Sequence, residues 1–186
     1  LEEIGVHVIF GVVGNKTHAK MCLIVRKESG MLKSYVHLGT GNYHPTTAKL
    51  YTDFGLLTAE NNICSEVHKI FRQLTGLGNS KPLRVLWQSP FKLHTNVIKA
   101  INTEVKHAKN GNKARIIARM NSLVEIKTIN ALYKASQKGV KIDLIIRGIC
   151  MLKPGVPGLS ENITVRSTIG RFLEHSRIFF FKNNGA

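Results

Sequence analysis

Acidic side chains are scarce. Only 11 Asp and Glu stand against 27 Lys and Arg in 186 residues, a formal charge of +16. That balance favours nucleotides, nucleic acid, other polyanions or an anionic membrane surface as partners. Cysteine is sparse too. Cys22, Cys64 and Cys150 are odd in number and widely separated, with no CxxC or Cys/His spacing, which excludes a disulfide scaffold and a zinc site. They lie in or beside apolar runs, so buried free thiols in a reducing compartment are expected. No apolar run approaches the about 18 to 20 residues of a membrane span, and no signal peptide is visible. Aromatics amount to 7%, too few and too scattered for a stacking platform on nucleic acid. A chain that opens on Leu1 and stops at "FFFKNNGA" is expected to be part of something longer.

Apolar content is 43%, enough for a core in one full domain or two small ones. The positive charge is uneven: residues 1–76 carry 8 basic and 6 acidic side chains, net +2, whereas residues 77–186 carry 19 and 5, net +14. A boundary in the linker "TGLGNSKP" predicts domains at 1–77 and 78–186, the second holding most of the field.

In the first part, "VHVIF" (6–10), "HAKMCLIV" (18–25) and "SYVHL" (34–38) predict strands, with "KESGML" as a turn. A helix is predicted from about Ala59 to Thr75, capped by Thr58 and stopped by Gly76. The second part alternates: strand 84–88, a helix opened by Ser89 and Pro90, strand 114–120, a helix with the capping box "SLVE" (122–125), and strand 140–146. Strand and helix in alternation predict an α/β domain with parallel pairing. Lys92, Lys99 and Lys106 are read as a solvated face of the first of these helices.

Two histidines stand out. "KTHAK" places His18 two residues from Lys20, and "LEHSRIFFF" places His175 two residues from Arg177; on a strand each pair shares a side. Each follows a "GV" run, at Gly5 and Gly139, a weak internal echo that predicts one site served by both histidines. A neutral imidazole is a competent nucleophile toward phosphorus, and a cation two residues on can bind the phosphoryl oxygens. The second histidine can exchange a proton with the far side of the transferring group. "GTGN" at 39–42 ends a strand, where small residues admit phosphate and Asn42 can hold a ligand or a histidine. His37 is a second possible acceptor, although a satisfied strand histidine is the blander reading. Arg147, in "LIIRGIC", stands at a strand end, where open α/β sheets bind ligands and a guanidinium forks onto phosphate. A structural ion pair explains Arg147 equally well. Spacing assigns no chemistry to Tyr51 or Asp53.

"KTHAK", "YVHLGTGNYHPTTAKLYTDFGLLTA", "IIRGIC" and "FLEHSRIFFF" together resemble the C-terminal catalytic region of the bacterial polyphosphate kinase family, across essentially the whole chain. The resemblance implies a phospholipase D-like α/β fold of two related domains, the first partial and the second lacking its C-terminal end. It implies reversible transfer of the terminal phosphate of ATP to polyphosphate with magnesium, in a cytoplasmic enzyme or one peripheral to the inner membrane. His18 then matches the phosphohistidine nucleophile and His175 the histidine that assists transfer. Tyr51 and Arg147 match positions that contact ATP. Lys20, Asn42 and Arg177 match the surrounding phosphate pattern, and His37 a further acceptor. The magnesium-associated arginines would precede Leu1, so no metal ligands are expected here, and this stretch alone should have little or no kinase activity. ATP, ADP and polyphosphate are the implied partners, in a homo-oligomer when full-length, with no specific nucleic acid and no transmembrane segment.

The phospholipase D motif HxKxxxxD requires aspartates where Val25 and Lys182 stand. That departure counts against a phosphodiesterase or nuclease, the runner-up reading. A non-catalytic polyanion-binding module is the third.

Overall fold

The computed structural model describes residues 2–12, 14, 16–76 and 82–185. In chain order its elements are β1 (Lys20–Glu28), β2 (Met31–Gly39), α1 (Pro45–Ala48), β3 (Tyr51–Thr52), β4 (Gly55–Thr58), α2 (Asn61–Leu74), α3 (Leu93–Lys109) and β5 (Arg115–Met120). There follow α4 (Ile126–Gln137), β6 (Lys141–Ile146), β7 (Ile163–Arg166), β8 (Leu173–Glu174) and β9 (Ile178–Phe181). They fall into two compact units, one of residues 1–39 and 55–87, the other of residues 40–54 and 88–186. The predicted boundary at 77/78 and most of the linker around it lie outside the described residues.

The first unit is an antiparallel sheet in the order β1-β2-β4, with α2 on one face. Ser29 and Gly30, both at positive φ, form the two-residue turn that joins β1 to β2, a geometry that matches the twist of the strands. Met21, Leu23, Val36 and Leu38 alternate toward α2, where Cys64 and Val67 are buried. The same alternation turns Cys22 to the opposite face, so it is exposed and only Cys64 fulfils the expectation of a buried thiol. β1 is accordingly a half-exposed strand that begins at Lys20, with His18 just ahead of it.

Two predicted strands are absent. Residues 6–10 form none: the run is apolar, but no strand among the described residues pairs with its backbone, and Phe10 is 92% exposed. With that strand gone, the two "GV" contexts are not structurally alike. Residues 84–86 turn inward instead of extending, because the buried Glu66 carboxylate takes the N–H groups of Arg84 (2.6 Å), Val85 (3.0 Å) and Leu86 (2.7 Å). Burial alone would raise the Glu66 pKa, but these bonds outweigh it and hold the carboxyl below its ordinary range.

The second unit carries a four-stranded sheet in the order β7-β6-β5-β9, the first three parallel and β9 antiparallel to β5. Ile116, Ala118, Ile142, Leu144 and Ile146 form its buried centre, packed with Ile101 of α3 and Leu132 of α4. The buried Glu104 of α3 accepts from the N–H groups of Arg115 (3.0 Å) and Asn183 (2.6 Å), tying the start of β5 and the chain beyond β9 to one helix.

Three caps differ from expectation. Glu60 caps α2 through the N–H of Ile63, while Thr58 accepts from Glu60 N–H. Glu125, not Ser122, caps α4; in both helices the longer glutamate side chain reaches the first turn. The Thr128 hydroxyl and N–H lead the bonds that lower the Glu125 pKa to about 2. α3 starts at Leu93, past Ser89 and Pro90, with no side-chain cap. No helix among the described residues is long and apolar enough to cross a membrane.

Candidate active site

At the C-terminal ends of β5 and β6, where parallel α/β sheets place ligands, the second unit holds a cavity of about 520 Å³. Asn121, Arg147 and Gly148 line one side, and Phe172, Leu173 and Glu174 another. The loops after the two strands are bound together by Gly148 N–H donating to Asn121 O at 2.8 Å. Only glycine permits that approach, because a Cβ on residue 148 would lie 2.8 Å from the same oxygen. Arg147 donates from Nε to Asn121 Oδ1 at 3.2 Å, so an amide rather than a carboxylate orients it.

His175 lies between β8 and β9 rather than within a strand. Its short predecessor β8 pairs in parallel with β3, joining Tyr51 to Leu173 and Thr52 to Glu174. The pairing brings the Tyr51 ring to 5.3 Å from the His175 ring, tilted by 34°. His175 is 9% exposed, and its Nδ1 is 3.0 Å from the main-chain oxygen of Thr40. A carbonyl can only accept, so Nδ1 carries the proton and Nε2 is the basic nitrogen of the neutral ring. Asp53 Oδ1 stands 3.8 Å from Nδ1, too far for a hydrogen bond.

Thr40 is itself fixed. Its N–H donates to Phe54 O (2.9 Å), and its hydroxyl donates to Asp53 Oδ1 (3.2 Å) while accepting from Phe54 N–H (2.9 Å). Gly41 gives Asp53 its space, since a Cβ there would run into the carboxylate. The "GTGN" segment thus acts through the main chain of Thr40 and the bareness of Gly41. Asn42 is exposed, and its carbonyl accepts from His44 N–H at 2.9 Å, closing the turn before α1. Arg177, just before β9, is exposed.

In the first unit, His18 is exposed, and Lys20 Nζ reaches back to its carbonyl (2.6 Å) and to its Nε2 (3.1 Å). An ammonium group only donates, so Nε2 is the basic nitrogen of this histidine as well. His37 stands on β2 opposite Cys22 and Leu57, on the face away from α2. Its ring lies close over Gly55, where a Cβ would come within 2.5 Å of Nε2.

Sequence reasoning singles out His18, Lys20, His37, Asn42, Tyr51, Arg147, His175 and Arg177. The structure joins His18 to Lys20, and His175 to Tyr51, with Arg147 at the cavity. It adds Thr40, Thr52, Asp53, Arg119, Asn121 and Glu174. Glu174 precedes His175 and Asn121 follows β5, so position alone offered a hint; Thr40 acts through its backbone, which no side-chain motif reveals. Among the described residues, no three His, Cys, Asp or Glu side chains converge as a metal site.

Residues 86–186 match the family model described as polyphosphate kinase C-terminal domain 2, and residues 1–80 that of polyphosphate kinase C-terminal domain 1. The chain is 62% identical over 190 residues to a polyphosphate kinase of Burkholderia multivorans, covering all of this chain and 28% of that protein. A polyphosphate kinase of Paraburkholderia phytofirmans is 62% identical over 189 residues, with the same coverage. The crystal structure of polyphosphate kinase from Porphyromonas gingivalis superimposes with a TM-score of 0.89 at 35% identity, covering 99% of this chain and 31% of that one. The chain therefore spans less than a third of the length of these relatives.

Proposed function

The chain belongs to the polyphosphate kinase family and has its phospholipase D-like α/β fold; from that premise we propose that it is the C-terminal catalytic part of an enzyme that reversibly transfers the terminal phosphate of ATP to inorganic polyphosphate. The observation that carries this reading is the fixed tautomer of His175, held by Thr40 O at 3.0 Å beside an aromatic ring and a carboxylate.

In the proposed reaction His18 Nε2 attacks the γ-phosphorus of ATP. The N–P bond forms as the bond to the bridging oxygen of ADP breaks, and ADP leaves with that electron pair. Lys20 shifts its ammonium from Nε2 to the phosphoryl oxygens as they gather charge. The terminal oxygen of polyphosphate then attacks the phosphohistidine, lengthening the chain by one unit and restoring neutral His18. His175 exchanges a proton at Nε2, the nitrogen opposite the one held by Thr40, giving it to the departing oxygen of ADP and taking one back from the terminal polyphosphate oxygen as that oxygen attacks, so the ring ends the cycle as it began. Tyr51 and Arg147 are assigned to the nucleotide, Lys20, Asn42 and Arg177 to phosphate oxygens, and His37 to a secondary acceptor role.

Magnesium, when bound, would screen the phosphates. The described residues do not fit as its cage, because Asp53 is engaged by Thr40 and Glu174 by Arg119. We assign its ligands to the remainder of the longer protein. That protein is proposed to be a cytoplasmic homo-oligomer, with the inner-membrane surface as the alternative location.

Purified full-length protein incubated with ATP and magnesium tests the reading. Chains of polyphosphate that accumulate with stoichiometric ADP support it. Steady ATP hydrolysis to free phosphate without chains contradicts it.

A further inference from the structure

The cavity beside Arg147 contains a mismatch of charge: Glu174, a carboxylate, stands in its wall. An anionic phosphate entering there would be repelled unless the charge were cancelled. Arg119 on β5 pairs through Nη2 with Glu174 Oε2, and the Thr52 hydroxyl donates to the same oxygen. Both charged side chains are well covered, at 22% exposure for Arg119 and 16% for Glu174, so solvent screens neither strongly. Glu174 is also bonded in register to Thr52, next to Tyr51, and it directly precedes His175.

Building on the reading above, we propose that Arg119 and Glu174 are a charge-matching and positioning pair. Glu174 fastens the β3–β8 pairing that sets Tyr51 against His175, and Arg119 neutralises Glu174 so that the wall of the cavity accepts the phosphates of a nucleotide. Neither residue touches the reacting atoms in this scheme.

A plain structural ion pair and a charge-matching pair differ in one respect. If Arg119 serves mainly to cancel Glu174, then losing Arg119 harms nucleotide binding only while the carboxylate remains. Full-length protein carrying Arg119→Met, Arg119→Lys, Glu174→Gln and the double change Arg119→Met with Glu174→Gln is compared by equilibrium binding of ATP and by kcat and KM. Arg119→Met is expected to weaken ATP binding and raise KM by about tenfold or more, with a smaller change in kcat. The double variant is expected to regain most of that loss, and Arg119→Lys to stay close to wild type. Glu174→Gln alone, which keeps an acceptor for Thr52, is expected to bind ATP at least as tightly as wild type. Thermal melts followed by circular dichroism show which variants fold, and Glu174→Gln decides the matter if Arg119→Met does not.

An unchanged ATP affinity in folded Arg119→Met, a double variant as weak as the single one, or weaker binding in Glu174→Gln overturns the proposal. A wild-type protein that binds ATP yet builds no polyphosphate overturns the functional reading instead, and the ATP-binding comparison among the variants then tests the pair by itself.

Discussion

The Nδ1 of His175 donates to the main-chain oxygen of Thr40 at 3.0 Å, across 135 positions of sequence. One hydrogen bond to a carbonyl settles which ring nitrogen is basic, and it makes the loop after β2 part of the histidine's environment. His175→Gln, which keeps an amide donor but no titratable nitrogen, is expected to lower kcat for chain synthesis by about 10² to 10⁴ while leaving the fold intact. Steady-state rates over a range of pH check this, and a loss of less than about threefold at every pH would remove His175 from the proton transfer.

Tyr51 meets His175 through its ring, so its hydroxyl should matter less than its face. An aromatic pair of this kind contributes about 0.5–1.5 kcal/mol beyond burial. Tyr51→Phe is expected to keep KM for ATP within about twofold and Tyr51→Ala to raise it about three- to tenfold. Equal effects of the two substitutions would assign the role to the hydroxyl.

Gly41 is a spatial requirement more than a flexible hinge. Gly41→Ala is expected to push the Asp53 carboxylate aside, disturb its bond from Thr40, and destabilise the protein by about 1–3 kcal/mol. Urea denaturation measures this. Adding Asp53→Gly removes every colliding atom, the Cβ included, so the double variant should match Asp53→Gly alone in stability. If alanine at 41 costs as much without Asp53 as with it, the clash is not the cause.

Parts of this arrangement are legible in the sequence and parts are not. The strands at 115–120 and 141–146 and the helix between them follow from periodicity, because buried parallel strands and an amphipathic helix each impose an unambiguous pattern. The run at 6–10 carries a strand's composition but no described neighbour to pair with, and composition does not report a partner. Residues 84–86 read as extended, yet a remote carboxylate, Glu66, takes their N–H groups. His18 and His175 are each visible in the sequence through the cation two residues on. The Tyr51–His175 contact and the Arg119–Glu174–Thr52 cluster depend on β3 meeting β8, a pairing of two residues on each side that no local pattern announces.

Glu66 also sets a pH dependence. Burial would raise its carboxyl above the ordinary value of 4.5, but the N–H groups of Leu86, Arg84 and Val85 outweigh burial and hold it below. A group whose folded pKa is depressed stabilises the fold above its unfolded pKa, and that stabilisation is lost as pH falls through the folded pKa. Glu66→Ala leaves three N–H groups without their acceptor and is expected to cost about 2–4 kcal/mol near neutral pH. The stability gap between wild type and Glu66→Ala, from urea midpoints, should hold steady down to the ordinary carboxylate range and shrink below it. A gap that widens on acidification contradicts the assignment.

The most direct measurement of the central claim is the fate of the γ-phosphate itself. Full-length protein and its His18→Ala variant are incubated with γ-labelled ATP and magnesium, then sampled before polyphosphate is added. Wild type is predicted to carry acid-labile, alkali-stable label that is discharged by polyphosphate, and His18→Ala to carry none. Label of the same stability persisting in His18→Ala would contradict the assignment of His18 as the phosphoryl acceptor.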